Sequence, residues 1–346
     1  MRDVKKSVLR IGSFSIQWRK RALIVCGLLL LAALVLGILH IGTGTMSFTP
    51  AEIVKSLVGE GASPTADRII MRVRLPRLVT ALFVGASLGM AGSIFQSISR
   101  NALGSPDIIG FTTGAATGAI VQIILFNAGP FETALAAVLS GIGTALIVFL
   151  LSMKGRTTGG YRLILVGIGM GAVLSGINTV LLVVGDLDQA ASAQLWLAGS
   201  LNTRTWSHAI PAILGFVVVV PIAIYHAQRI NLLEMGDDAA SQLGVRVETT
   251  RLIMVLAAVG LTSVATAAAG PIAFIALAAP QLVRRLTRSS AVPLLASALM
   301  GAVLLVGADL VSQHFPFNVK MPIGLTTGLL GGVYLLWVLA RNRRIS

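Results

Sequence analysis

Apolar segments of about twenty residues, the length that spans a bilayer as an α-helix, recur along almost the whole chain, and nothing else in it limits the fold as strongly. Such a segment satisfies its backbone polar groups internally and can lie in hydrocarbon, whereas a soluble domain with so many of them would expose large apolar patches. Of 346 residues, 55% are hydrophobic and 12% charged. The spacing predicts an all-α, polytopic membrane protein, one transmembrane domain over 1–346. Ten spans are expected, at 22–41, 76–98, 108–126, 131–153, 162–184, 208–227, 251–269, 271–286, 291–312 and 322–340. A short helical stretch, Ala191 to Ser200, is expected to dip back between the fifth and sixth.

The charge sets the orientation. The net +14 invites a nucleic-acid reading, but the basic residues sit between apolar runs, as cytoplasmic loops do. With both termini cytoplasmic, most of the 27 Lys and Arg face inward. Lys55, Arg68, Arg72, Arg74, Arg77, Arg204 and Lys320 face outward, and flipping the chain would invert the bias. Residues 1–21 are a basic cytoplasmic tail before a retained first helix. The longest polar loops are 42–73 outside and 228–250 inside. Ten helices with both ends inside also accommodate two five-helix halves of opposite orientation, the pair 251–286, hinged at Gly270-Pro271, matching 76–126.

Several chemistries lack their residues. Cys26 is alone, and His40, His208, His226 and His314 lack ligand spacing, so no cofactor or metal is expected on this chain. No glycine-rich run ending in Lys-Ser or Lys-Thr is present to bind ATP, and no catalytic triad or carboxylate pair stands out.

Residues 74–118 carry the most informative pattern. Arg74-Leu75-Pro76-Arg77 precedes an apolar run with Gly85 and Gly89; a polar elbow, Ser99 to Asp107, follows; Gly110, Gly114 and Gly118 mark the next run. Small residues four apart let membrane helices approach closely. Asn101 and Leu103 lie in the elbow, where turn chemistry alone would account for them. In the inner loop, Glu234, Met235, Gly236, Asp237, Asp238, Ala239, Ala240, Leu243 and Gly244 read as a short helix. Its acids suit the helix start, its alanines permit close packing, and Gly244 suits the positive φ of a helix stop. By spacing alone these residues fit a capped surface helix as well as a docking hook.

The strings Arg74 to Arg77 and Arg100 to Asp107 resemble the FecCD-type permeases, the membrane subunits of ATP-driven importers for iron–siderophores, haem and vitamin B12. Ala102 departs from that family's usual proline. So does Gln281, where Gly270 to Gln281 would otherwise end in histidine. The resemblance implies that Asp238-Ala239-Ala240-x-x-x-Gly244, with residues 234–237, docks a cytoplasmic ATPase dimer that carries ATP and Mg. It also implies that Arg74 and Arg77 receive acidic residues of a substrate-binding protein, and that Asn101 and Leu103 narrow the inner gate. Gln313 stands where the vitamin B12 member has a third docking arginine, and Lys320 is expected to restore a positive charge nearby. Ala198 to Asn202, Glu234 to Asp238 and Gly331 to Tyr334 look closest to the second permease subunit of ferric enterobactin importers. That likeness implies a catecholate ferric siderophore, a second homologous permease as heterodimer partner, and the cytoplasmic (inner) membrane. Two other readings are an ion-coupled secondary transporter, for which Asp309 and Glu132 are the acids in or beside helices, and a structural subunit of a membrane complex.

Overall fold

The computed structural model describes residues 7–11, 14–18, 20–61, 63–154, 157–158, 160–288, 292–314 and 321–342. Ten helices correspond to the ten expected spans: α1 Lys20–Gly42, α4 Leu75–Ile98, α5 Phe111–Phe126, α6 Pro130–Ser152, α7 Gly160–Val184, α9 Trp206–Leu233, α11 Val247–Ala269, α12 Ile275–Thr287, α13 Leu294–Gln313 and α14 Ile323–Asn342. Among the described residues, seven helices are long and apolar enough to cross a membrane unaided; α5 and the apolar part of α14 are shorter. The smaller helices are α2 Pro50–Val58, α3 Pro64–Ile69, α8 Leu187–Leu197 and α10 Asp237–Gln242. The dipping stretch is thus α8, displaced toward the N-terminus, with Ala193 buried against Ile120 and Ile124 of α5.

Two segments differ from expectation. Residues 42–73 are helical over much of their length: Thr49 and Glu52 form a capping box ahead of α2, Ser63 caps α3, and a π-helical turn at Ile70–Arg74 runs on into α4. The starts of α2 and α3 each pair a hydroxyl cap with a following proline, which favours initiation. The span expected at 271–286 begins only at Ile275, because Gly270, at φ 75°, and Phe274, at φ 76°, turn the backbone out of the helix. At the start of the chain, Ser7–Ile11 pairs antiparallel with Phe14–Trp18 within the expected tail.

The core forms around α4, which packs against α13, α11, α12 and α9. Its composition explains the crossing. A Cβ on Gly85 would overlap the carbonyl oxygen of Gly301, one on Gly89 that of Ser297, and one on Gly92 that of Ala276. Three glycines thus let α13 and α12 pack backbone to backbone on α4. In contrast, α1 and α9 present apolar side chains outward, Leu28, Leu34, Leu214 and Val218 among them. Helices with such faces need lipid or another apolar partner.

Side-chain contacts sort the polar residues into two poles. Those expected outside meet around the end of α1, the start of α4 and the end of α13: His40, Arg77, Asp309 and Gln313. Those expected inside meet around the end of α4, α10 and the end of α12: Arg100, Asp237, Arg251, Glu234 and Arg284. Arg21, at the start of α1, donates to the Leu286 carbonyl at 2.6 Å and joins that inner pole.

Candidate functional site

At the outer pole, Arg74 and Arg77 lie one helical turn apart and do different things. Arg74 is buried; its two terminal nitrogens donate to the carbonyls of Ile41 and Met46, and its guanidinium lies 4.8 Å from the Phe48 ring centroid. It holds the corner where the chain leaves α1. Arg77 forks onto Asp309, with Nε donating to Oδ2 at 2.9 Å and Nη2 to Oδ1 at 2.7 Å. This is the planar two-bond geometry that guanidinium and carboxylate favour. The Asp309 side chain is 1% exposed and that of Arg77 19%, so Arg77 offers only an edge to the outside. His40 Nε2 lies 2.7 Å from Asp309 Oδ2, and Gln313 Nε2 donates to the same oxygen at 3.1 Å. Gln313 therefore belongs to this cluster, and Lys320 lies outside the described residues.

Beneath that pole, the loop after α8 is wedged inside the bundle. Ser200 N–H donates to the Ala269 carbonyl at 2.7 Å, and Gly324 N–H to the Ala198 carbonyl at 3.0 Å. Gly199 sits at φ 63°, so close to the Pro271 carbonyl that no side chain fits. A cavity of about 390 Å³ opens here between α5 and the 271–273 break, lined by Asp107, Thr112, Leu197, Pro271, Ala273 and Leu325.

The inner pole joins the elbow to the 234–244 loop. Asn101 Oδ1 accepts from Leu103 N–H at 2.9 Å, an Asx turn, while Leu103 itself is 55% exposed. Gln281 donates to the Ala102 carbonyl at 2.8 Å, so the glutamine ties α12 to the elbow. A cavity of about 430 Å³ lies between Gln96, Arg100, Asn101, Glu234, Gln281 and Arg284.

In the 234–244 loop, α10 starts after Gly236, at φ 118°, and ends before Gly244, at φ 81°. Gly244 N–H donates to the Ser241 carbonyl at 2.9 Å and Val245 N–H to that of Ala240 at 3.0 Å, closing the helix end. Ala240 is buried and Ala239 half-buried, whereas Met235, Asp238, Leu243 and Gly244 are exposed, Met235 at 68% and Leu243 at 60%. Asp237 faces the bundle, with its Oδ1 and Oδ2 each 2.9 Å from Arg251 Nη2. Nothing in the sequence marks Arg251 and Arg284 as paired, since an arginine at an inner helix end is explained by sidedness already.

The model of the FecCD transport family matches residues 29–341. The chain belongs to the FecCD family. Its relatives include the ferric enterobactin transport system permease protein FepG of Escherichia coli strain K12, 43% identical over 326 residues that cover 94% of this chain and 98% of FepG. Another is the Fe(3+) dicitrate transport system permease protein FecD of the same organism, 37% identical over 276 residues covering 80% of this chain and 86% of FecD. Among solved structures, one described as an inward-facing conformation of a metal-chelate type ABC transporter superposes with a TM-score of 0.82 at 28% identity, over 92% of this chain and 99% of that one. This FecCD chain is thus a multi-pass membrane transport protein, and both polar poles lie within the family match.

Proposed function

We propose that the chain is the permease of an ATP-driven importer that carries a ferric siderophore, of a catecholate type such as ferric enterobactin, inward across the cytoplasmic membrane. The observation that carries this reading is α10: a short acidic-alanine helix at the basic pole, with Asp238, Met235 and Leu243 exposed and Ala240 packed behind. Exposed apolar side chains beside a carboxylate, outside the spans, suit a protein partner rather than lipid. The partner is a cytoplasmic ATPase dimer, which holds ATP and Mg. The 43% likeness to FepG supports the cargo class, and with it a second homologous permease.

At the outer mouth, Arg74, Arg77 and Lys320 are the proposed receptor for acidic groups of a substrate-binding protein. Arg77 would meet them by its exposed edge, and Arg74 would shape the corner they approach. Asn101 and Leu103 are the proposed inner gate. The cavity lined from both α5 and the 271–273 break suits a pathway wall, because interrupted segments in matching positions of two transporter halves tend to surround the cargo.

Transport of radiolabelled ferric enterobactin in cells carrying Asp238→Lys or Gly244→Pro tests the reading. Uptake falls to background with the permease at normal membrane levels. Undiminished uptake would refute docking at α10.

A further inference from the structure

Glu234 and Asp237 are paired with arginines of the bundle whereas Asp238 is exposed, and Gly236, at φ 118°, turns the chain between the two paired acids where α10 begins. Each of the two inward acids is held by arginine. Arg284 of α12 donates to Glu234 at 2.5 Å and reaches Ser97 of α4 at 3.3 Å. Arg251 of α11, 2% exposed, donates to both Asp237 oxygens and to Glu248 at 2.8 Å. Arg100, immediately beyond α4, lies 3.3 Å from the same Asp237. Arg251 and Arg100 therefore converge on the first residue of α10, and Arg284 holds the end of α9 that leads into it.

We infer that Glu234 and Asp237, through Arg284, Arg251 and Arg100, are positioning residues that carry displacement of α10 into α12, α11 and α4, separately from the exposed residues that meet the ATPase. The inference rests on the proposed docking at α10. Its physical basis is directionality. Apolar packing lets neighbouring helices slide, whereas a charge-assisted hydrogen bond in a partly desolvated site holds a fixed distance and angle. Arg251 is the extreme case, because a buried guanidinium stripped of its carboxylates is strongly unfavourable and must follow them. The same contacts reach the elbow: Arg100 adjoins Asn101, and Arg284 borders the cavity beneath it. Movement of α10 thus arrives at the proposed gate by a continuous set of polar bonds.

The test uses the assembled permease–ATPase complex in proteoliposomes, scoring siderophore transported per ATP hydrolysed. Arg284→Gln is the variant, since its side chain is partly exposed, 31%, tolerates change better than Arg251, and lies outside the residues implied to dock the ATPase. The expected result is full co-purification of the ATPase and continued hydrolysis, with transport per ATP reduced roughly 5- to 150-fold, the span of an ordinary coupling free energy between sites. The exchanged pair, Glu234→Arg with Arg284→Glu, recovers a large part of the loss, which a contact serving only as a fold staple would not show in this ratio. Asp238→Lys, in contrast, loses the ATPase from the complex. An unchanged ratio in Arg284→Gln, or an exchanged pair as poor as that variant, overturns the linkage. Retention of the ATPase by Asp238→Lys would instead overturn the docking reading and leave the linkage result legible by itself.

Discussion

The Arg77–Asp309 fork shows how much a single residue's meaning depends on what it touches. Both lie at the outer end of a helix, and each invites a reading of its own, a docking arginine and a proton-carrying acid. Joined, they neutralise each other across 232 residues of sequence, and His40 takes the acid's remaining face. Removing one partner of such a pair leaves the other charged and desolvated. Arg77→Gln should therefore lower stability by about 3–5 kcal/mol, while Arg77→Met combined with Asp309→Leu costs much less. Thermal unfolding of the detergent-purified protein checks the order of the three. A smaller effect belongs to Glu52, whose carboxyl is held below the usual range by the Thr49 backbone N–H and then by its hydroxyl. A depressed folded-state pKa stabilises above the unfolded value, and the contribution is lost as pH falls through the folded one. Hydrogen-exchange protection of 50–58, corrected for intrinsic rates, should decline across that acidic window, and Glu52→Gln should flatten the decline. The loop expected over 42–73 passed over the capping box, although Thr-Pro-x-Glu is a local signal for one; the Arg77–Asp309 pairing has no local signal, because nothing nearby in sequence joins the two residues.

At the scale of elements, glycine decides which helices can touch. Gly92 faces the Ala276 carbonyl with no room for a methyl group, whereas Gly27 of α1 has nothing within 4 Å. Gly92→Ala must push α12 from α4 and should sharply reduce the yield of folded protein, as overpacking in a tight interface does. Gly27→Ala should leave yield unchanged. Comparing monodisperse yield after detergent extraction separates the two. The four-residue spacing of Gly85 and Gly89 announced a close crossing, but which helix would fill it was settled only when α13 brought Gly301 against them. The interrupted helices teach a related lesson. With 13 residues, α12 extends about 20 Å at 1.5 Å per residue, too little for a ~30 Å hydrocarbon core. Gly270-Pro271 marked the break, yet the positive φ of Phe274 left no local signature. That residue is held there by tertiary packing, its ring lying 5.8 Å from that of Tyr334.

For the whole molecule, the arrangement is a bundle with polar networks at its two ends and no open acid in the described middle of its helices. Asp309 is committed to Arg77 and His40, so an ion-coupled cycle has no free carboxylate there to load. Uptake in vesicles should persist when the proton gradient is collapsed with ATP maintained, and stop when ATP hydrolysis is inhibited. The reverse pattern would favour ion coupling. Several of these properties follow from the chain alone. Apolar segment length determines that it spans a membrane, the distribution of Lys and Arg determines its orientation, and literal strings such as Arg74 to Arg77 determine its family. Each of these is local or additive along the sequence. Which arginine meets which acid, and which face of α10 stays exposed, depend on helices distant in sequence meeting in space. Only the packing of α4 against α11, α12 and α13 decided them, because an ion pair's role is set by burial and geometry that no single segment contains.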